Sequence, residues 1–193
     1  MTQNLADIDR YIVEAIRVRR SIQVYDELYC SHESVEILLD KAGRVFGVLQ
    51  RALHDEIVIS LSRLFDSLGY DTKGGRQDYL SQLNIVNANE SILTENEQEL
   101  RKRTAVLWEE IDIKSYRNLK IAHNDKESLV VPDKIVKHGV STEKAKELVD
   151  VSIQLMICIK RNFTGSEEVS LPQNPNDKYE GYARELVGRL KKI

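Results

Sequence analysis

Cysteine, proline and glycine are all scarce in this chain, with 2 Cys, 3 Pro and 9 Gly among 193 residues. The two cysteines, Cys30 and Cys158, lie far apart and form no CxxC pair. That excludes a disulfide framework or a zinc ribbon and fits reduced thiols in apolar-rich surroundings. So few breakers suit long helices better than a loop-rich β architecture. The longest apolar run, Leu155-Met156-Ile157-Cys158-Ile159, is far too short to cross a bilayer. Positive charge is not in excess either. The formal net charge of -3 gives no global attraction to nucleic acid, so any RNA contact requires a local basic patch. The first residues, from Met1 to Asp7, lack the basic head and apolar stretch of a secretory signal. The expectation is a soluble cytoplasmic protein with no membrane association.

What is present is helical periodicity. A hydrophobic share of 41% and a charged share of 31% support a well-filled core, and residues 1–193 read as a single domain. The first helix is predicted from about Thr2 to Leu28, with Leu5, Ile8, Ile12, Ala15, Ile16 and Ile22 on one stripe. Tyr11, Val18 and Tyr25 form a second stripe at heptad spacing, so a neighbouring chain is one candidate to cover that side. A second helix starts at Ser31 or His32 and keeps three-four spacing from Val35 through Leu64 until Gly69, a rod roughly 50 Å long at 1.5 Å per residue. Gly69 to Arg76 reads as a turn, and no segment shows convincing strand alternation. Tyr79, Leu80, Leu83 and Val86 suggest a short helix.

The third long helix opens on a capping box at Thr94-Glu95-Asn96-Glu97 and is expected to run to about His123. The fourth is capped by Ser141 or Thr142 and ends at Gly165; a terminal amphipathic helix carries Tyr182, Ala183, Leu186, Val187 and Leu190. The fold class is all-α: a bundle of four long helices plus one or two short ones.

One segment carries chemistry. Within Tyr116-Arg117-Asn118-Leu119-Lys120-Ile121-Ala122-His123-Asn124-Asp125 stand an arginine, an adjacent amide and a histidine. A guanidinium neutralises phosphate, and an imidazole moves protons near neutral pH. Between residues 113 and 126, Lys114, Arg117, Lys120 and Lys126 stand against Asp125 alone, a modest phosphate-attracting patch on an acidic chain. Arg117 and His123 are six residues apart, about 600° around an ideal helix, so the helix must end or bend near Ala122 or a second chain must complete the site. The plain alternative is that Arg117 pairs with a surface carboxylate and His123 caps helix carbonyls.

Arg117 and His123 with five residues between them, and Asn118 in the polar slot after the arginine, resemble the mark of the HEPN superfamily. The surrounding Ala122-His123-Asn124-Asp125, together with Leu61-Ser62-Arg63-Leu64-Phe65-Asp66 on the preceding long helix, is similar to the abortive-infection U branch. The resemblance implies a HEPN-like helical domain and metal-independent RNA cleavage without cofactor, in toxin–antitoxin or phage-defence systems. It implies Arg117, Asn118 and His123 as catalytic residues, Lys114, Lys120 and Lys126 as RNA-binding residues, a homodimer lining a shared cleft, and an antitoxin protein as a further partner. The alternative it leaves open is a catalytically silent module that binds a nucleotide or a partner. Two residues after the histidine, where HEPN toxins paired with nucleotidyltransferases carry tyrosine, this chain has Asp125, so regulation through such a tyrosine is not expected.

Elsewhere, the Arg17, Arg19, Arg20 cluster and the His54-Asp55-Glu56 and Glu109, Glu110, Asp112 groups are expected to be solvated helix face. None has the two-ligand spacing of a zinc helix, so no metal site is expected. Trp108 is expected to pack in the core.

Overall fold

The computed structural model describes residues 2–65, 69–118, 140–165 and 181–193. The helices are α1 (Thr2–Tyr29), α2 (His32–Phe65), α3 (Gln82–Ala88), α4 (Glu95–Ile111), the single turn α5 (Lys114–Tyr116), α6 (Thr142–Thr164) and α7 (Tyr182–Leu190), with a short 3-10 turn at Glu90–Ile92. The all-α bundle expected from periodicity is present. α1 lies at its centre, packed against α2 and α6, while α4 packs on the other flank of α6.

Both stripes of α1 are buried within the chain. Ile8, Ile12, Ala15, Ile16 and Ile22 are inside, and so are Tyr11 and Val18, so no second chain is needed to cover that side. Tyr11 also begins a buried chain of hydrogen bonds. Its hydroxyl lies 2.7 Å from Ser152 Oγ on α6. Ser152 Oγ donates to Gln82 Oε1 on α3 at 3.4 Å, and Gln82 Nε2 donates to Thr104 Oγ1 on α4 at 2.7 Å. The Thr104 hydroxyl ends the chain on the Arg101 carbonyl. Because the serine donates onward, the tyrosine is the donor at the first link. Buried polar groups are tolerated only when satisfied, and here four helices are joined by groups that satisfy one another.

Helix ends follow local chemistry. Ser141 Oγ accepts from the Lys144 amide at the start of α6, and Gly165 closes that helix at φ 66°, donating to the Arg161 carbonyl. The Glu97 carboxylate accepts from the Thr94 amide at 2.8 Å and from its hydroxyl, completing the capping box of α4. Burial alone would raise the Glu97 pKa, but these bonds hold it below the usual carboxylate value. The terminal helix α7 is capped by another helix. Glu27 of α1 accepts from the amides of Gly181 (2.8 Å) and Arg184 (3.2 Å), and those bonds with Gln23 outweigh burial to lower its pKa.

Four expectations are corrected. First, α2 is not a straight rod. Ala42 leaves helical geometry (φ −158°, ψ 51°), beside Gly43, which weakens the helix locally. Before the bend, Leu38 joins Leu28, Ala183 and Val187 in a cluster separate from the main core. Second, the segment read as a turn is an antiparallel hairpin, Gly69–Thr72 against Gly75–Asp78, closed by Lys73-Gly74. A Cβ at position 69 would lie 2.3 Å from the Gln77 carbonyl oxygen, so only glycine permits this pairing. Third, α4 ends at Ile111 rather than near His123: Asp112 adopts left-handed geometry (φ 42°, ψ 53°) and the chain turns into α5. The short helix also starts later than expected, at Gln82, capped by Ser81.

Candidate functional site

The left-handed Asp112 sets the direction in which Lys114 to Asn118 leave α4. Behind it, Ile113 is 1% exposed, and Tyr116 packs against the main core with its ring edge-on to His54 at 5.6 Å. Burial raises the Tyr116 pKa, so its hydroxyl stays protonated well past neutral pH. These two inward anchors, three residues apart, fix the turn between them. Lys114 is exposed, and Arg117 is half-buried and hydrogen-bonded through its amide to the Ile113 carbonyl at 2.8 Å.

Because an L-residue in left-handed geometry is strained, Asp112→Gly should stabilise the fold by up to ~1 kcal/mol and Asp112→Val should destabilise it by roughly 1–2 kcal/mol. Denaturant midpoints of the two variants check this; equal midpoints would mean that the turn carries no strain.

The Arg117 guanidinium is held by its neighbour. Nε and Nη2 both donate to Asn118 Oδ1, at 2.9 and 2.7 Å. This two-pronged contact orients the guanidinium without cancelling its charge and leaves the Asn118 amide nitrogen to donate elsewhere. Of the residues expected to act, Lys114, Arg117 and Asn118 are thus together on one turn. His123, Lys120 and Lys126 lie outside the described residues.

Arg117 opens on a cavity of about 690 Å³ walled by α1, α2 and the segment before α3. Arg17 and Glu14 come from α1, Ser60 and Arg63 from α2, and Tyr79 from the chain after the hairpin. Arg17 is exposed, as expected of a solvated helix face, but it is paired there. It donates to Glu14 at 3.0 Å and to Ser60 at 3.1 Å, and it pairs with Glu56. Ser60 is buried and donates to Glu56 Oε1 at 2.8 Å, while Glu56 Oε2 is buried without a hydrogen-bond partner among the described residues. Arg19 likewise forks onto Asp150 of α6 at 2.9 and 3.1 Å. Both arginines find carboxylates on other helices, which a one-helix reading cannot reveal.

His54-Asp55-Glu56 is also more buried than expected, with His54 set between Tyr25 and Tyr116. Glu109, Glu110 and Asp112 are exposed as expected, and Trp108 packs on Phe65 with ring centroids 5.7 Å apart. Cys30, expected among apolar neighbours, is exposed; partial burial and Asp26 nevertheless push its thiol pKa up, which disfavours the nucleophilic thiolate. Among the described residues, no helix is long and apolar enough to cross a membrane.

The cavity residues Arg17, Arg63 and Tyr79 were not singled out as site residues by sequence reasoning. The one available signal was Arg63, which falls within the Leu61–Asp66 stretch that carries the resemblance.

Comparison with known proteins adds one finding. The family model HEPN_AbiU2 (AbiU2) matches residues 7–186, nearly the whole chain. No curated protein and no solved structure matches it.

Proposed function

From the premise that this chain belongs to the abortive-infection AbiU2 family of the HEPN superfamily, we propose that it is a metal-independent endoribonuclease of phage defence. The observation that supports this reading is Arg117, oriented by Asn118 and facing a cavity large enough for a nucleotide. In the reaction, an RNA 2′-hydroxyl attacks the adjacent phosphorus and the bond to the 5′-oxygen breaks. The products are a cyclic phosphate and a 5′-hydroxyl. Arg117 stabilises the charge that builds on the non-bridging oxygens. His123 takes the proton from the attacking hydroxyl, and an acid returns one to the leaving oxygen. Lys114, Lys120 and Lys126 attract the flanking phosphates.

One imidazole cannot serve both ends of a concerted step, so the reading includes a two-fold homodimer in which the partner supplies the second. Val45, Val48 and Leu49 stand exposed within about one turn of α2, an apolar patch suited to burial against another copy. In a toxin–antitoxin setting, an antitoxin protein would hold the enzyme silent until infection.

The decisive assay incubates purified protein with RNA in excess chelator. Fragments with cyclic-phosphate and 5′-hydroxyl ends are expected; intact RNA, or cleavage that requires added magnesium, overturns the reading in favour of a silent binding module. Val48→Glu is expected to lower the solution mass from two chains to one and to abolish cleavage. A wild-type protein that sediments as a monomer yet cleaves RNA would remove the dimer from the mechanism.

A further inference from the structure

The cavity contains more basic and aromatic surface than Arg117 alone requires. Arg17 is already matched by Glu14 and Glu56. Arg63 is exposed on the same wall and makes no hydrogen bond or ion pair among the described residues. Tyr79, 43% exposed, lines the cavity too, and its ring is set against that of Tyr70 at 5.5 Å. That contact braces the phenol ring from the hairpin side. Cavities of roughly 300–1,000 Å³ hold ligands of nucleotide size, and this one falls in that range. Guanidinium, aromatic ring and guanidinium therefore line one space, matching the alternation of phosphate and base along a single strand.

We propose that this cavity is a nucleotide subsite for single-stranded RNA, in which Arg63 binds a backbone phosphate next to the one at Arg117 and Tyr79 stacks on the intervening base. The proposal rests on the reading of Arg117 as the residue that meets the scissile phosphate, and it assigns the grip on the adjacent nucleotide to different residues. A stacking platform accepts every base, so the subsite positions the strand with little sequence preference. Ser60 does not bind RNA in this scheme; its hydroxyl is engaged by Glu56 and Arg17, which keeps Arg17 against the wall.

The test measures binding separately from cleavage. The probe is a fluorescein-labelled single-stranded octanucleotide of mixed sequence with 2′-O-methyl sugars, which lacks the attacking hydroxyl and cannot be cut. Its affinity is read by anisotropy between about 0.05 and 0.2 M salt. Arg63→Gln is expected to weaken binding about tenfold and to lower the slope of log affinity against log salt by about 0.7. Tyr79→Leu is expected to weaken binding about tenfold with the slope unchanged. Lys102→Gln, on exposed α4 surface and paired with Glu99, should bind as the wild type does. Wild-type protein that fails to bind the probe, or Arg63→Gln and Tyr79→Leu proteins that bind as tightly as wild type, overturns the subsite. Retained binding with these losses, but no cleavage of ordinary RNA, would sustain the subsite and remove only the nuclease reading.

Discussion

Arg117→Ala is expected to lower the rate of RNA cleavage by about a hundred- to a thousandfold, the usual cost of removing one preorganised donor from a developing oxyanion. The side chain is half-buried at the cavity edge, and α5 is anchored by Ile113 and Tyr116 instead, so the fold should survive the change. A thermal midpoint close to wild type is the control. Arg117→Lys is the sharper probe. It keeps the charge, but a single ammonium cannot reproduce the fork onto Asn118 Oδ1, so its rate should fall between those of arginine and alanine. Asn118→Ala should act in the same direction and less strongly, because it releases the guanidinium without removing it. An Arg117→Ala protein that cleaves at the wild-type rate would remove Arg117 from the mechanism.

The largest expected effect on stability comes from Tyr11. Tyr11→Ala empties a fully buried site on the central helix and should cost about 3–5 kcal/mol. At a few degrees per kcal/mol for a chain of this size, the thermal midpoint falls on the order of 10 °C. Tyr11→Phe keeps the ring and deletes only the donor to Ser152, so about 1–2 kcal/mol is expected. If the two variants melt together, the hydrogen-bonded chain rather than the ring is holding α1 to α6.

The same tyrosine has a pH signature. Burial raises its pKa far above the ordinary phenol value of 10.0, and burial also raises those of Tyr25, Tyr29 and Tyr116. Below about pH 10 these phenols are neutral in both states, and their contribution is fully present. Above it the unfolded chain ionises first, so stability should decline as pH rises from about 10 toward the elevated folded values. Urea midpoints from neutral to strongly alkaline pH would record that decline.

Much of the bundle was legible because its signals are local. The periodicity of α1 and α6, the Thr94–Glu97 box and the glycine after Thr164 each involve residues within a turn or two of one another. The break after Ile111 was not legible. Leu107, Ile111 and Ser115 keep helical spacing, and although aspartate tolerates left-handed geometry better than most residues, that tolerance alone does not place such a residue at 112. The hairpin escaped because Tyr70, Asp71 and Thr72 are all exposed, so no inside-outside alternation marks its first strand.

The turn carrying Arg117 could be read from residue types alone, whereas its surroundings could not. Arg17, Arg63, Tyr79 and Arg117 come from four separate segments and converge only through tertiary packing. The pairing of Arg17 and the half-burial of His54 escaped for that same reason: the residues that pair the one and enclose the other lie on other helices.

The bend at Ala42 divides a single long helix between two centres of packing. The stretch of α2 before it, with α7, rests on a small cluster of Leu28, Leu38, Ala183 and Val187 flanked by half-buried side chains such as Tyr29 and Phe46, whereas the stretch from Ile57 on is embedded in the main core. A corner held by a much smaller apolar cluster than the main core opens at a lower free-energy cost than the whole protein does. Its amides should therefore exchange with solvent through excursions that leave the arginine-lined wall intact. A fusion joined after Ile193 would pull on that yielding corner and not on the cleft.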